Sequence, residues 1–269
     1  MSPEDFEFIS SLIKSRSGLV LTPDKSYLLE SRLMPVARKH GLKGLEDLIA
    51  QLRTRRDEAM IVEVTEAMTT NESFFFRDVK PFDLLRDEVL PPILKERAAK
   101  KHLRIWCAAA SSGQEPYSIA ILLKELGAQL AGWRIDIVGT DISHDILKKA
   151  KSGMYSQFEV QRGMPIQLLL KYFDKRDENW EIKPEVKNMV QYKYWNLLDD
   201  LSQLGGFDIV FCRNVLIYFD AETKGKVLEN IAKLMSKDGM MFLGGAETVL
   251  GVTEKFKPVQ GQRGVYALG

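Results

Sequence analysis

Through the first 75 or so residues, hydrophobic side chains recur at helical spacing and nowhere alternate as they would in a strand. In FEFISSLIKSRSG, apolar residues at 6, 8–9 and 12–13 predict a helix that Gly18 stops. Thr22-Pro23-Asp24 reads as the start of a second, with Pro23 in the first turn, where its missing N–H is no loss. That helix is expected over 25–39, ending at His40-Gly41, with further helices over 45–54 and about 57–68. Pro91-Pro92 is expected to interrupt a helical pattern that begins near Pro81. The texture then changes. LRIWCAAA, RIDIVGTD and FDIVFCRN are short apolar runs, each followed by a helical stretch, and MMFLGG and GVYALG supply two more strands. Strands alternating with helices predict an α/β sheet built from right-handed βαβ units, with its loops at the strand carboxyl ends. The chain therefore divides into an all-α part, 1–75, and an α/β part, 76–269. Residues 154–194 break the alternation: a helix near 165–172, then a small antiparallel insert over about 173–194. A stretch that long serves either as a docking appendage or as a flap over a ligand cleft.

Composition narrows the function without choosing it. With 45% hydrophobic and 28% charged residues the chain is an ordinary globular protein, and its net charge of +1 gives no general attraction to nucleic acid or membranes. No run approaches the roughly 18 apolar residues of a membrane span, and MSPEDFEFISS lacks the basic-then-apolar order of a signal peptide, so a cytoplasmic location is expected. Cys107 and Cys212 both lie in apolar runs and read as two buried thiols rather than a disulfide. The three histidines, His40, His102 and His144, show no metal-ligand spacing, so no metal is expected.

The segment LRIWCAAASSGQEPYS carries the most chemistry. A hydrophobic strand runs into small residues, Ala108 to Gly113, before a helix opens near Glu115-Pro116. Small residues let backbone approach a bulky ligand, Gly113 permits a positive φ, and open α/β sheets bind ligands at this edge. The turn is no phosphate cradle, for it has neither GxGxxG nor GxxxxGK[ST]. It carries an acid instead: Glu115 is either an ordinary charge at a helix start or a carboxylate facing a cationic amine. Asp141 closes the next strand 28 residues after Gly113, placed to accept from ribose hydroxyls, although Asp also caps helices and Ser143 competes for that task. A nucleoside site without a phosphate cradle points to S-adenosylmethionine.

Three strings, TNESFFFR (70–77), WCAAASSGQEPYS (106–118) and CRNVLIYF (212–219), resemble the signature motifs of the CheR chemotaxis receptor methyltransferases, and the resemblance extends over nearly the whole chain. It implies a Rossmann-like S-adenosylmethionine-dependent methyltransferase domain with a small antiparallel β insert, preceded by an all-α domain. The implied activity is esterification of chemoreceptor glutamates, leaving S-adenosylhomocysteine. The implied cofactor contacts are Asn71, Ser73, Arg77, Gly113, Glu115, Asp141, Asn196, Leu197, Arg213 and Asn214, with Arg77 and Tyr218 orienting the incoming carboxylate. Ser73 stands where the family commonly has Thr, and AAASSG replaces the commoner AACSTG. Each residue also has a plainer use: Arg77 as a surface charge, Tyr218 as a core aromatic, Asn71 as a helix cap. Two rivals remain: an RNA methyltransferase, disfavoured because no NPPY-type loop is present, and a catalytically idle sensor of the methyl donor.

The residues from Lys14 to Arg56 hold ten Lys or Arg against four acids, a local charge of +6. By itself that is a solvated face. Beside the resemblance it becomes a basic surface for the cytoplasmic domain of an acidic receptor, with Arg32, Arg38 and Lys39 as its expected contacts. In some family members the insert binds a pentapeptide at receptor C-termini through a glycine-containing loop. Here DKRDENWEIKPEV has no glycine, so no need for that tether is expected. No extended heptads appear, which favours a monomer, and a regulatory protein partner is left open.

Overall fold

The structure is a computed structural model that describes residues 1–55 and 57–269, so Arg56 of the basic run lies outside the described residues. Two compact units result: Met1–Thr70 with Tyr218–Lys224, and Asn71–Ile217 with Gly225–Gly269.

The first unit is helical. It contains α1 (Pro3–Ser17), α2 (Ser26–Lys39), α3 (Leu45–Arg55) and α4 (Glu58–Met68). The punctuation does what its chemistry dictates. Gly18 closes α1 in the left-handed conformation at φ 79°, and Asp57 caps α4 by accepting from the Ala59 and Met60 N–H groups. Ile9, Ile13, Leu29, Leu33, Leu48 and Val64 meet in a core of their own.

The second unit opens with α5 (Lys80–Leu84) and α6 (Leu90–Glu96), joined by a π-helical turn over Leu85–Val89. Pro91-Pro92 therefore does not break the helical path. Both prolines sit in the first turn of α6, where no N–H is required, and the wider turn before them absorbs the missing bonds. There follow β1 (His102–Ala108), α7 (Gln114–Glu125), β2 (Arg134–Asp141), α8 (His144–Ser152), β3 (Met154–Ser156), α9 (Gln157–Gln161), α10 (Ile166–Tyr172), β4 (Phe173–Arg176) and β5 (Asn179–Ile182). After these come α11 (Pro184–Lys187), β6 (Val190–Tyr194), β7 (Phe207–Cys212), α12 (Ala221–Leu234), β8 (Met235–Leu243), β9 (Phe256–Pro258) and β10 (Val265–Leu268).

Seven strands form the main sheet in the order β6-β2-β1-β7-β8-β10-β9, parallel except for β10, which runs antiparallel to both its neighbours. The order reverses between β1 and β7, and the crevice outside the carboxyl ends at such a switch point is where open α/β sheets bind ligands. The small sheet is β3-β5-β4. The expected insert over 173–194 is thereby corrected at both ends. It recruits 154–156 from upstream, whereas 190–194 leave it to pair with β2 at the edge of the main sheet. The alternation in VQYKY suits an edge strand with one covered face: Val190 and Tyr192 are buried while Gln191 and Lys193 face out.

Cys107 on β1 and Cys212 on β7 are buried free thiols, and burial pushes both well above the ordinary thiol range. Among the described residues no helix is long and apolar enough to cross a membrane.

Tyr192 packs where Gly139 has no side chain: a Cβ there would lie 2.9 Å from the tyrosine ring and 3.1 Å from the Ala110 Cβ. Gly139→Ala is expected to cost about 1–3 kcal/mol in urea denaturation, the usual range for overpacking. Gly245→Ala, with nothing within 4 Å of its would-be Cβ, should stay within about 0.5 kcal/mol of the parent.

Candidate functional site

At the switch point the chain leaves β1 through three left-handed residues, Ala109 (φ 56°), Ser111 (φ 52°) and Gly113 (φ 92°), before α7 begins. Two of these are not glycine, and residues held in that region are costly unless their surroundings over-determine them. The surroundings do. The Asp141 carboxylate at the end of β2 accepts from the Ser111 N–H at 2.8 Å and from the Ser143 N–H at 3.0 Å. Ser143, not Asp141, caps α8 by accepting from the Ile146 N–H. The Asp141 carboxylate thus ties the turn after β1 to the turn after β2 through backbone donors. The Ser111 hydroxyl donates to the Asn71 carbonyl at 3.0 Å, drawing the 71–77 segment onto the same turn.

Gly113 is required by protein packing. A Cβ there would sit 2.5 Å from the Tyr192 hydroxyl and 3.1 Å from that of Tyr155, which itself donates to the Ser112 carbonyl. After β6, the Trp195 N–H donates to the Asp141 carbonyl at 3.0 Å, and the Asn196 side-chain oxygen accepts from the Leu198 N–H. Asn196 and the buried Leu197 thus lie on a turn tied to the end of β2.

Glu115, in the first turn of α7, accepts from Arg213 through Oε2 at 2.9 Å, and its other oxygen has no partner among the described residues. Its side chain is 13% exposed, so the vacant oxygen is a shielded acceptor. Burial pushes the carboxyl above the ordinary carboxylate range while Arg213 pulls it back. A cationic amine is the kind of group that would complete this environment, and a polyphosphate would be repelled by it.

Arg213, at the end of β7, is 1% exposed and donates also to the Arg77 carbonyl at 3.0 Å and to Asp78 at 2.6 Å. Its guanidinium is occupied by protein groups, although its buried Nε has no partner. Arg77 follows a run of phenylalanines and precedes a strained turn, for Phe76, Asp78 and Val79 all have φ between 48° and 68°. Its guanidinium donates to the Glu72 carbonyl at 3.0 Å and lies 5.3 Å from the centre of the Phe74 ring. Ser73 is half-buried on the same segment.

Beside this turn opens a cavity of about 670 Å³ over the carboxyl ends of β7 and β8, lined in part by Arg77, Lys80, Arg213, Asn214, Glu247 and Arg263. Asn214 is left-handed at φ 59°. Glu247 holds it there, accepting from the N–H groups of Asn214 (2.8 Å), Val215 (3.0 Å), Ile217 (3.3 Å) and Gly244 (2.7 Å). Sequence reasoning missed Glu247. The only trace of its role is the small-residue run LGGAE, whose Gly244 could not carry a Cβ, since one would lie 2.7 Å from the carboxylate.

Residues 71–265 match the family model described as CheR methyltransferase, SAM binding domain, and residues 4–69 match the one described as CheR methyltransferase, all-alpha domain. The chain belongs to the CheR methyltransferase family. Chemotaxis protein methyltransferase 1 of Pseudomonas aeruginosa is 40% identical over 267 residues, covering 97% of this chain and 96% of that one. The chemotaxis protein methyltransferase of Vibrio parahaemolyticus is 38% identical over 268 residues, covering 98% and 96%. S-adenosylmethionine is thus the cofactor, and the residues at the switch point fit it: an acceptor pair at Asp141 for a ribose and a vacant acid oxygen at Glu115 for an ammonium.

In this CheR-family chain the expected residues fall into two hydrogen-bonded groups: Asn71 and Asp141 meet through Ser111, and Glu115 and Arg77 meet through Arg213. Tyr218 groups with the helical unit, half-buried, its carbonyl accepting from the Val20 N–H at 2.9 Å. The residues expected to contact the receptor differ among themselves. Arg32 donates to the Met68 and Thr69 carbonyls at the end of α4 and to the Thr70 hydroxyl, and Lys39 pairs with Glu63 at 2.6 Å. Arg38 is exposed and, among the described residues, in no ion pair.

Glu247→Ala would strip four backbone donors of their acceptor at once. The expected cost is about 2–4 kcal/mol in urea denaturation. Amide exchange should quicken at 214–217 and stay unchanged at 111–113, and Glu247→Gln should recover part of the loss.

Proposed function

We infer that the chain esterifies glutamate side chains of chemoreceptors with the methyl group of S-adenosylmethionine, and so tunes adaptation in chemotaxis. The observation that supports the reading is the pair of carboxylates at the switch point, Asp141 and Glu115, each anchored by protein donors at the carboxyl edge of the sheet. Bound there, S-adenosylmethionine supplies an electrophilic methyl to the receptor carboxylate; the ester forms as the carbon–sulfur bond breaks, its electron pair stays on sulfur, and no proton moves.

Because a glutamate side chain with a pKa of about 4.3 is already ionised at neutral pH, the chain needs no general base. Its residues have to position and to exclude water. Alignment of attacker, methyl and leaving group is worth roughly 7–11 kcal/mol, and removing water from the anion adds to it. Arg77 orients the incoming carboxylate. A guanidinium already sharing itself with the Glu72 carbonyl and the Phe74 ring grips an anion moderately, which suits a reaction that consumes the negative charge. Arg213 acts as a positioning residue that fixes Glu115 and the 77–78 turn. For Tyr218 the support is the motif CRNVLIYF, and its assigned part is to orient the same carboxylate. The basic helical unit steers the receptor, with Arg38 the most available of Arg32, Arg38 and Lys39 for it. The chain acts in the cytoplasm as a monomer, without nucleic acid and without membrane insertion.

Incubation with labelled S-adenosylmethionine and receptor-bearing membranes should yield label that mild alkali releases; alkali-stable label, or label in RNA, would sink the reading. Asp141→Ala should weaken S-adenosylhomocysteine binding at least about tenfold by calorimetry, the loss of one or two charged hydrogen bonds. Arg77→Ala should leave that affinity within about threefold and lower turnover by about tenfold or more. Turnover of Arg77→Ala and Tyr218→Phe within about twofold of the parent would remove both from the orienting role.

Receptor binding should weaken as salt rises, since steering between exposed charges is screened over about 8 Å at physiological ionic strength. Arg38→Glu should reproduce part of that loss at low salt, and salt-insensitive binding would count against the basic surface.

A further inference from the structure

The cavity over β7 and β8 holds more positive charge than one carboxylate needs. Of its four cations, Arg213 is matched by Asp78 and Glu115. Its two acids are both engaged, Asp78 with Arg213 and Glu247 with four backbone N–H groups that leave its charge in place, so four cations against two acids give the lining a net +2. Arg77, Lys80 and Arg263 remain, and among the described residues none of the three is in an ion pair. A cavity of about 670 Å³ is also far larger than a single carboxylate group, lying within the usual range for whole small-molecule sites.

We propose that this cavity binds two carboxylates of the receptor at once, the reacting glutamate at Arg77 and a second, neighbouring acidic side chain at Arg263 and Lys80. The proposal rests on the acceptor role given above to Arg77 and extends it to residues that no family motif on this chain includes. Two observations carry it. The cavity stands at the ends of β7 and β8, while the nucleoside-binding carboxylates stand at β1 and β2, so donor and acceptor divide the sheet edge between them. The cations are mounted on constrained backbone. Lys80 follows the strained turn at 76–79, and Arg263 sits in the β9–β10 turn, closed by Gln262 N–H to Val259 and Val265 N–H to Gln262 at 3.2 and 3.1 Å. Gly264 presses that turn against β8, for a Cβ there would lie 3.2 Å from the Leu243 carbonyl. A helical receptor segment would present such a pair of acids, since side chains three or four residues apart on a helix project side by side.

The test uses the full chain and a receptor cytoplasmic fragment in two forms, one with its acidic neighbour three or four residues from the reacting glutamate and one with that neighbour changed to Gln. Alkali-labile methyl release gives kcat and KM; calorimetry with S-adenosylhomocysteine reports the donor site separately. The parent chain should prefer the acidic form by about tenfold in kcat/KM, as expected for one partly desolvated charged contact. Arg263→Ala should lose that preference mainly through KM, Lys80→Ala should lose part of it, and Arg263→Glu should invert it, all with unchanged S-adenosylhomocysteine affinity. An Arg263→Ala chain that keeps the full preference overturns the proposal, and so does a parent chain that shows none. Loss of S-adenosylhomocysteine binding in Arg263→Ala would instead assign the cavity to the donor. Absence of both binding and methyl release in the parent would strike the functional reading itself.

Discussion

A guanidinium 1% exposed to solvent is the constraint around which the methyltransferase unit is arranged. Isolating Arg213 from water would cost several kcal/mol, so its burial obliges the chain to bring acceptors to it. It draws them from three places: Glu115 at the start of α7, the Arg77 carbonyl, and Asp78 in the strained turn that follows. Those contacts hold Glu115 with one oxygen committed and one vacant, and they hold the 77–79 turn in a conformation that ordinary residues avoid. Removing one partner would leave a buried charge uncompensated, which is why such a network fixes geometry more than it adds stability.

On either side of Arg213 the same device is repeated with a carboxylate. Asp141 binds the backbone N–H groups of Ser111 and Ser143; Glu247 binds those of Asn214, Val215, Ile217 and Gly244. In both cases an acid substitutes for regular secondary structure, satisfying loop donors that neither helix nor strand reaches, and lets left-handed residues stand next to a ligand-sized space. Loops at the carboxyl edge of a sheet are usually its most mobile parts. Here they are pinned, which suits a reaction whose barrier falls chiefly through alignment.

Much of this was legible along the chain, and the rest was hidden for identifiable reasons. Local chemistry announced itself: Gly18 as a helix stop, Pro23 in a first turn, three apolar runs as parallel strands, and the small-residue turn before α7. Features set by distant partners did not. VQYKY reads equally well as a hairpin strand or a sheet edge, and only Gly139, which leaves room for Tyr192, assigns it to β2. Pro91-Pro92 signals a break unless the turn before it widens, a matter of helix packing that no propensity encodes. Glu247 looks like any acid after a glycine pair, because three of its four partners are backbone groups about 30 residues away and backbone groups carry no sequence signature. Arg32 lies in a basic run as one charge among ten, yet its donors go to carbonyls at the end of α4, leaving the neighbouring Arg38 the freer cation.

The cations of the α/β unit fall into a series. Arg213 is buried and fully matched in charge, Arg77 is half-buried and shared with a carbonyl and a ring, and Arg263 and Lys80 are exposed and in no ion pair. That gradient has a consequence for turnover. Methyl transfer converts an anionic side chain into a neutral ester, and on the role proposed for Arg77 the charge-assisted hydrogen bonds to it would weaken to ordinary ones. A site built from strong, dry ion pairs would hold the substrate too well and raise the barrier by stabilising the ground state. A site of moderately exposed cations attracts the anion over distance, orients it at contact, and loses its hold once the charge is gone. Differential affinity between acid and ester is therefore built into the chemistry of the product, and the chain needs no moving part to discharge it.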